Sequence, residues 1–299
     1  MECFSPLHGF RSKETGGIVF KRSHDAGEPM SVACGQCLGC RIDHSQTWAA
    51  RIVHEAALYD QNCFITLTYD PEHLPPGGTL VKSDFQKFMK RLRKQFSDRN
   101  IRYYHCGEYG EQLQRPHYHA CLFNFQFPDK KLFRKNERDP LFSSETLSKL
   151  WAKGLCSIGE LTYESAAYCA RYMLKKVTGH MHDDHYMRWD DYGVAYWLEP
   201  EYTTMSRRPG IGKEWYEKYK TDVFPSDELP VPGRGVFKNV PRYYEDLLEK
   251  SDPDLHQKIK VERAKYRKNN PEEYTPGRLM SKYKVKKAQL KMLKRELEG

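Results

Sequence analysis

Two histidines one residue apart, His117 and His119 in HYHACLFNF (117–125), have the type and spacing to hold a metal ion. The segment alternates in the manner of a β-strand, and residues i and i+2 of a strand project to the same side. Two imidazoles side by side make half of a metal site; the bland alternative is a hydrogen-bonded surface pair. Glu108 closes another expected strand, IRYYHCGE (101–108), nine residues before His117. Paired antiparallel, the two strands would bring this carboxylate to the imidazoles. A two-histidine, one-carboxylate set with open positions suits a divalent ion that also holds substrate oxygens. Mg²⁺ or Mn²⁺ is expected for a phosphate substrate, with non-haem Fe(II) as the rival.

A second group lies in YCARYMLKK (168–176). On a helix Tyr168 and Tyr172 stand at i and i+4, one above the other. Lys176 continues that row, and Lys175 is the i+3 neighbour of Tyr172. A phenol with its reference pKa of about 10 is a poor nucleophile, and a nearby cation favours the phenolate. The alternative is an aromatic stripe packed into a core.

A third group is CGQCLGC, with Cys34, Cys37 and Cys40 in two overlapping C-x-x-C steps and His44 following. These could present thiolates to one Zn²⁺, with Cys3 or His44 completing a tetrahedron. Free thiols in a glycine-rich turn are the alternative. Nine cysteines, an odd number, without an export signal fit a reducing compartment better than a disulfide framework.

The elements that must position these groups follow from periodicity. Trp48, Ile52, Ala56 and Tyr59 predict a helix over 45–60, and CFITLTYD (63–70) reads as a strand stopped by Pro71 to Gly78. Ser83 and Gln86 form a capping-box pattern ahead of a helix to Phe96, with Phe85, Phe88, Leu92 and Phe96 on one face. Lys87, Lys90, Arg91 and Lys94 occupy its other faces. A helix is expected from Ser144 to before Gly154, a strand in CSIGELTY (156–163), and a helix over 164–176. The pattern is α+β: an antiparallel sheet with helices on one face. The domain reading is an N-terminal extension (1–44), a core (45–225), and a linker with a charged helical tail (226–299). The linker is placed on FPSDELPVPGRG.

Composition bounds the rest. With 299 residues, 30% of them charged, and a mean hydropathy of −0.81, the chain is polar, yet 20 Tyr, 14 Phe and 5 Trp can fill a core. No apolar run reaches the ~18–20 residues of a membrane span, and MECFSPLHGF lacks the pattern of a secretory signal. The formal net charge is +9. From Ser251 onward 14 basic residues face 7 acidic ones, so most of the surplus sits in the tail. Such a tail suits a polyanion, most often nucleic acid, or simply keeps a solvated helix soluble.

FITLTYD, GEYGEQLQRPHYHACLF and YCARYMLKK occur in the order and spacing of the three motifs of HUH-type rolling-circle replication initiators. The tyrosine pair resembles the two-tyrosine branch serving small single-stranded DNA phages. CGQCLGCR and TTMSRRPGIGKEW make the gokushovirus branch of the microviruses the closest resemblance, over roughly residues 1–220. It implies that His117 and His119 bind a divalent cation and that Glu108 supplies the third ligand, with His105 as a weaker rival. It also implies that Tyr168 and Tyr172 are nucleophiles assisted by Lys175 and Lys176. Arg171 stands where single-tyrosine relatives carry Lys three residues after the tyrosine, so Tyr172 with Lys175 is the better-equipped of the two. The implied fold is an antiparallel sheet with the His strand central and the Tyr helix beside it.

The implied reaction is nicking and joining of single-stranded DNA at the viral origin, in the bacterial host's cytoplasm, through a 5′-phosphotyrosine. Expected DNA contacts are Lys87, Arg91 and Lys94 on the basic helix and Arg207, Arg208 and Lys213 in SRRPGIGK. GHMHDDHY (179–186) is read as a polar loop, although His180, His182, His185, Asp183 and Asp184 could hold a second ion. No P-loop motif occurs, so unwinding falls to a separate, host helicase. Three alternatives remain. A cupin-like Fe(II) oxygenase would need an acid just after the histidines, where ACLFNFQF has none. A non-catalytic nucleic-acid-binding protein with zinc at the cysteines leaves His117, His119 and the tyrosines without a role. An HUH transposase or relaxase shares the chemistry in another context.

Overall fold

The structure is a computed structural model that describes residues 3–110, 112–135, 140–171, 177 and 182–292. The chain divides into two compact units, Ser45–Tyr244 and a second made of Met1–His44 with Glu245–Gly299.

The larger unit is built on a seven-stranded sheet. Its strands are β4 (Asn62–Thr68), β5 (Arg102–Tyr109), β6 (Pro116–Phe123), β7 (Lys131–Arg134), β8 (Leu141–Ser143), β9 (Cys156–Gly159) and β12 (Tyr202–Met205). The spatial order is β12-β5-β6-β4-β9-β8-β7, and every pair is antiparallel. β6, the strand of the histidine pair, is therefore interior, hydrogen-bonded to β5 on one side and β4 on the other. The α+β class, the antiparallel sheet and the central His strand are as the sequence implies.

Period-2 alternation gives the sheet two apolar faces. One carries Ile65, Leu67, Tyr118, Ala120 and Leu122 and is covered by α2 (Lys82–Gln95) and α3 (Glu145–Trp151). Phe85, Phe88, Met89 and Leu92 of α2 are buried there, each contributing about 1.5–3 kcal/mol of burial. Trp151 locks α3 down by donating its indole N–H to the Thr68 carbonyl at 2.7 Å. The other face carries Tyr104, Cys106, Cys121 and Phe123, and against it pack Ala49, Ile52 and Val53 of α1 (Leu38–Ala56) and Ala166 and Cys169 of α4 (Tyr163–Arg171). Helices thus lie on both faces, and the second face is the one that bears the histidines.

Local signals explain where some helices begin. Ser144 caps α3 as expected, accepting from the Leu147 amide at 3.0 Å. Ser83 does not cap α2, which starts one residue earlier, after Val81. The Tyr118 hydroxyl holds that start, accepting from the Val81 N–H at 2.9 Å and donating to its carbonyl at 3.0 Å. With the chain fixed at Val81, Ser83 falls inside the first turn. The helix expected over 45–60 begins instead at Leu38, inside the cysteine motif.

The rest of the larger unit adds the hairpin β10 (Met187–Trp189) and β11 (Ala195–Trp197), α5 (His182–Tyr186) and α6 (Lys213–Val223). The segment FPSDELPVPGRG contains β13 (Leu229–Val231), whose Leu229 and Val231 are buried, paired with β14 (Gly235–Phe237).

The smaller unit contains a three-stranded antiparallel sheet, β1 (Leu7–Ser12), β2 (Ile18–Val19) and β3 (Ala26–Val32), in the order β2-β1-β3. It also contains most of α7 (Arg242–Ser251), followed by α8 (Pro253–Asn269) and α9 (Pro276–Met292), which form the charged helical tail. Asp252 caps α8 by accepting from the Leu255 amide at 3.0 Å, with Pro253 in the first turn, where its missing N–H costs nothing. No helix among the described residues is long and apolar enough to cross a membrane.

Candidate metal centre and nucleophile

In the β5–β6 ladder Glu108 stands directly opposite His117, and Cys106 opposite His119. Because side chains two apart share a face, Glu108, His117 and His119 all project from the α1/α4 side of the sheet. Glu108 Oε1 lies 2.9 Å from the Nε2 atoms of both histidines. The ligand atoms of the three residues lie within 4.8 Å of one another.

The surroundings orient the rings for a cation. His117 Nδ1 is 3.1 Å from the Arg115 carbonyl, and His119 Nδ1 is 3.0 Å from the Thr66 hydroxyl. Thr66 is the residue paired with His119 across the β4–β6 ladder. A neutral His117 has one N–H for two acceptors, the Arg115 carbonyl and Glu108 Oε1. A cation at Nε2 satisfies the second, leaving Nδ1–H for the carbonyl, as is usual behind metal-bound histidines. Burial raises the Glu108 carboxyl, but hydrogen bonds from His117 and His119 outweigh it and hold it below the ordinary glutamate value. Glu108 is 1% exposed and His117 17%, so the centre is open on the His117 side only.

His105 is not an alternative ligand. It projects from the opposite face, stacked 3.4 Å from Phe85 of α2, with Nδ1 2.9 Å from the Thr204 hydroxyl. Complete burial pushes its imidazole well below the ordinary histidine value.

Tyr168 lies on α4 with its ring 5.0 Å from that of His119, edge to face at 86°. It also meets Phe64, which stacks 5.5 Å from His119. The approach is close because α4 turns small residues toward the sheet. Ala166, Cys169 and Ala170 are fully buried, and Cys169 Sγ lies 3.4 Å from Cys106 Sγ. Tyr172, Lys175 and Lys176, one turn and more beyond, lie outside the described residues, as does the end of the helix expected over 164–176.

The residues expected to contact DNA are not gathered at this centre. Lys87 and Lys94 are exposed on α2, behind the opposite face of the sheet. Arg91 is engaged at the end of α3, donating to the Leu150 carbonyl at 2.8 Å and the Trp151 carbonyl at 3.4 Å. Arg207 and Arg208 are exposed beyond β12, at the Tyr103 end of β5, about 17 Å along the strand from Glu108. Lys213 pairs with Glu217 at 2.9 Å.

Other groups lie nearer. Arg115 and Pro116, just before His117, line a shallow groove with Leu74, Arg188 and Tyr196. The β10–β11 hairpin beside it leaves Trp189, Tyr192 and Trp197 exposed. Sequence reading missed this hairpin because its short strands carry no clean alternation. In GHMHDDHY, residues 182–186 form α5 and Tyr186 is buried; His180 lies outside the described residues.

Among the described residues two groups converge as metal ligands: Glu108 with His117 and His119, and Cys3 with Cys34, Cys37 and Cys40. Cys3, weighed in the sequence against His44, is the fourth member of the cysteine group.

Comparison with known proteins agrees with this centre. Residues 62–177, from β4 through the Tyr helix, match a family model for replication-associated proteins of the ORF2 type. The replication-associated protein VP4 of Bdellovibrio phage phiMH2K is 35% identical over 85% of this chain and 79% of its own length. The replication-associated protein ORF2 of Spiroplasma virus 4 is 36% identical over 85% of this chain and 82% of its own. The chain belongs to the family of microvirus replication-associated proteins, the gokushovirus-type rolling-circle initiators. A more distant member, the replication-associated protein ORF4 of Chlamydia phage 1, is 27% identical over 73% of this chain and 53% of its own. No solved structure matches. Within this family the chain is a phage replication protein, and its metal-like triad and Tyr168 lie inside the matched segment.

Proposed function

We propose that this replication protein is the origin nickase and strand transferase of its phage, acting on single-stranded DNA in the cytoplasm of the bacterial host. The observation that carries the reading is the convergence of Glu108, His117 and His119 beside the Tyr168 ring. The donor set, two imidazoles and a carboxylate with an open side, fits Mg²⁺ or Mn²⁺. A bound divalent ion would supply Lewis-acid polarisation of a non-bridging phosphate oxygen.

The protein's own residues do the remainder. Glu108 and the two histidines fix the reacting phosphate's place at the sheet surface, and α4 holds Tyr168 against it. The Tyr168 phenol loses its proton as its oxygen bonds to phosphorus. The bond from phosphorus to the 3′ oxygen breaks, and that oxygen takes up a proton, leaving a free 3′-OH and a 5′-phosphotyrosine. One phosphodiester replaces another, so attack by a 3′-OH reverses the step without a nucleotide cofactor. Tyr172, one helical turn on, is the second nucleophile, so one strand stays held while the regenerated origin is cut. Lys175 and Lys176 neutralise the phosphate. Arg115 and Arg188 beside the groove, with the exposed aromatics of the β10–β11 hairpin, supply the cation and stacking chemistry that unpaired DNA needs. Unwinding falls to a host helicase.

The test is incubation of the protein with Mn²⁺ and single-stranded DNA from its own genome, followed by denaturing electrophoresis. The reading requires an SDS-stable, metal-dependent adduct that survives in Tyr168→Phe or Tyr172→Phe alone and is lost in the double variant. Absence of any adduct from folded, metal-loaded protein would favour a non-catalytic DNA-binding role.

A further inference from the structure

The cysteine group of the smaller unit has no part in the nicking reaction, and its geometry is that of a metal site. Cys3 Sγ lies 3.7 Å from Cys34 Sγ and 3.9 Å from Cys37 Sγ, and all four sulfurs of Cys3, Cys34, Cys37 and Cys40 fall within 4.8 Å of one another. A tetrahedron of thiolates at a Zn–S distance of about 2.3 Å spaces its sulfurs about 3.8 Å apart. A disulfide would bring two sulfurs to about 2.05 Å and leave the other pair apart. All nine cysteines are instead free thiols.

The backbone is arranged around the sulfurs as well. The Cys37 amide donates to Cys34 Sγ at 3.2 Å, the Cys34 amide to Cys3 Sγ at 3.3 Å, and the Phe4 amide to Cys37 Sγ at 3.2 Å. Amide donors spread the charge of metal-bound thiolates and fix their direction. Gly35, inside the first C-x-x-C step, has φ of +73°, a left-handed conformation in which a side chain would be strained. That conformation folds Cys34 and Cys37 around one point. Four sulfurs and no oxygen or imidazole make the donor set soft, which selects zinc over the magnesium or manganese suited to Glu108, His117 and His119.

We infer that Cys3, Cys34, Cys37 and Cys40 bind one structural Zn²⁺. The site ties the N-terminal segment to the turn that opens α1. Cys3 stands 31 residues from Cys34, and Phe4 beside it packs its ring edge-on against Tyr283 of α9, 5.9 Å away. The ion therefore anchors the segment against which the basic tail rests. A four-sulfur site has no open position, so the ion has no catalytic part. The site does not depend on the nickase reading.

The test is elemental analysis of the full-length protein purified without chelator, with Co²⁺ exchange as a second readout. About one zinc per chain is expected, and Co²⁺ should give the intense near-ultraviolet thiolate charge-transfer band and visible bands of a tetrahedral site. Zinc should be lost in Cys34→Ser and Cys3→Ser. It should persist in Cys156→Ser and in the double variant His117→Ala/His119→Ala, which separates this site from the nicking centre. If the cysteine variants do not fold, the wild-type zinc content and Co²⁺ spectrum decide. Folded wild-type protein with no metal, iron in place of zinc, or zinc retained by both cysteine variants would each overturn the assignment.

Discussion

The Tyr168 ring stands edge-on over His119, 5.0 Å away at 86°, while His119 Nδ1 meets the Thr66 hydroxyl at 3.0 Å and Nε2 lies 2.9 Å from Glu108 Oε1. One imidazole thus touches the proposed nucleophile, its own orienting group and the proposed ligand carboxylate. Its position links three elements, α4, β4 and β5, that come from separate parts of the sequence.

Thr66 is the group that fixes the His119 ring from behind. Thr66→Val keeps the shape and removes the hydroxyl, so the ring loses its Nδ1 partner while the sheet is retained. Divalent-ion affinity should fall about 10–100-fold, read by Mn²⁺ titration, with little change in thermal stability. An unchanged affinity would mean that the hydroxyl does not orient the ring.

The small residues under α4 set the height of Tyr168 above the sheet. Cys169 is fully buried with its Sγ 3.4 Å from Cys106 Sγ, so Cys169→Leu has no space to enter. The variant should lose about 1–3 kcal/mol in urea unfolding and lift the helix, lowering adduct formation through Tyr168. Cys169→Ala creates only a small void and should retain most adduct formation. Equal activity in Cys169→Leu and the native protein would show that the helix height is not set there.

What the sequence made legible follows the ladder. The convergence of Glu108, His117 and His119 needs only a period of two and one antiparallel pairing, so adjacent strands sufficed to read it. Thr66 was not readable, because it depends on the β4–β6 register, which the turn lengths do not determine. Ser83 failed as a cap because the start of α2 is held by Tyr118, 35 positions further along the chain. Arg91 looks like part of a basic stripe in any helical projection, yet the C-terminus of α3 claims it. Cys3 could be weighed only against His44, since a separation of 31 residues carries no spacing rule of its own.

Glu55 and Arg102 form a buried ion pair joining α1 to the first residue of β5. Glu55 Oε2 also accepts from the Gly212 amide at 2.7 Å, and Arg102 donates to the Pro209 carbonyl at 2.9 Å. Glu55→Gln leaves the guanidinium buried without its counter-charge, a loss of about 3–5 kcal/mol, measured by denaturant unfolding. A Glu55→Gln/Arg102→Met double variant should recover part of that loss. Failure to recover any would mean that the packing around Pro209 and Gly212, and not the stranded charge, sets the cost.

His54 gives the protein an acid-sensitive point far from the DNA chemistry. Its ring is stacked 3.4 Å from Trp215, Nε2 lies 2.8 Å from the Pro230 carbonyl, and Nδ1 lies 2.9 Å from the Tyr244 hydroxyl. The neutral ring with its proton on Nε2 satisfies both contacts, donating to the carbonyl and accepting from the phenol. Burial lowers its pKa from 6.5 to about 4, with the Pro230 hydrogen bond opposing that shift only in part. The unfolded chain therefore takes up a proton at a pH where the folded one does not. Stability from this group is fully present above pH 6.5, falls as the pH drops toward about 4, and then levels off. The loss across that window is about 3 kcal/mol. His54→Gln, which cannot charge, should start less stable at neutral pH but show a correspondingly flatter fall in urea-unfolding free energy down to about pH 4.5. Parallel pH profiles for the variant and the native protein would exclude His54 as the source of the acid sensitivity.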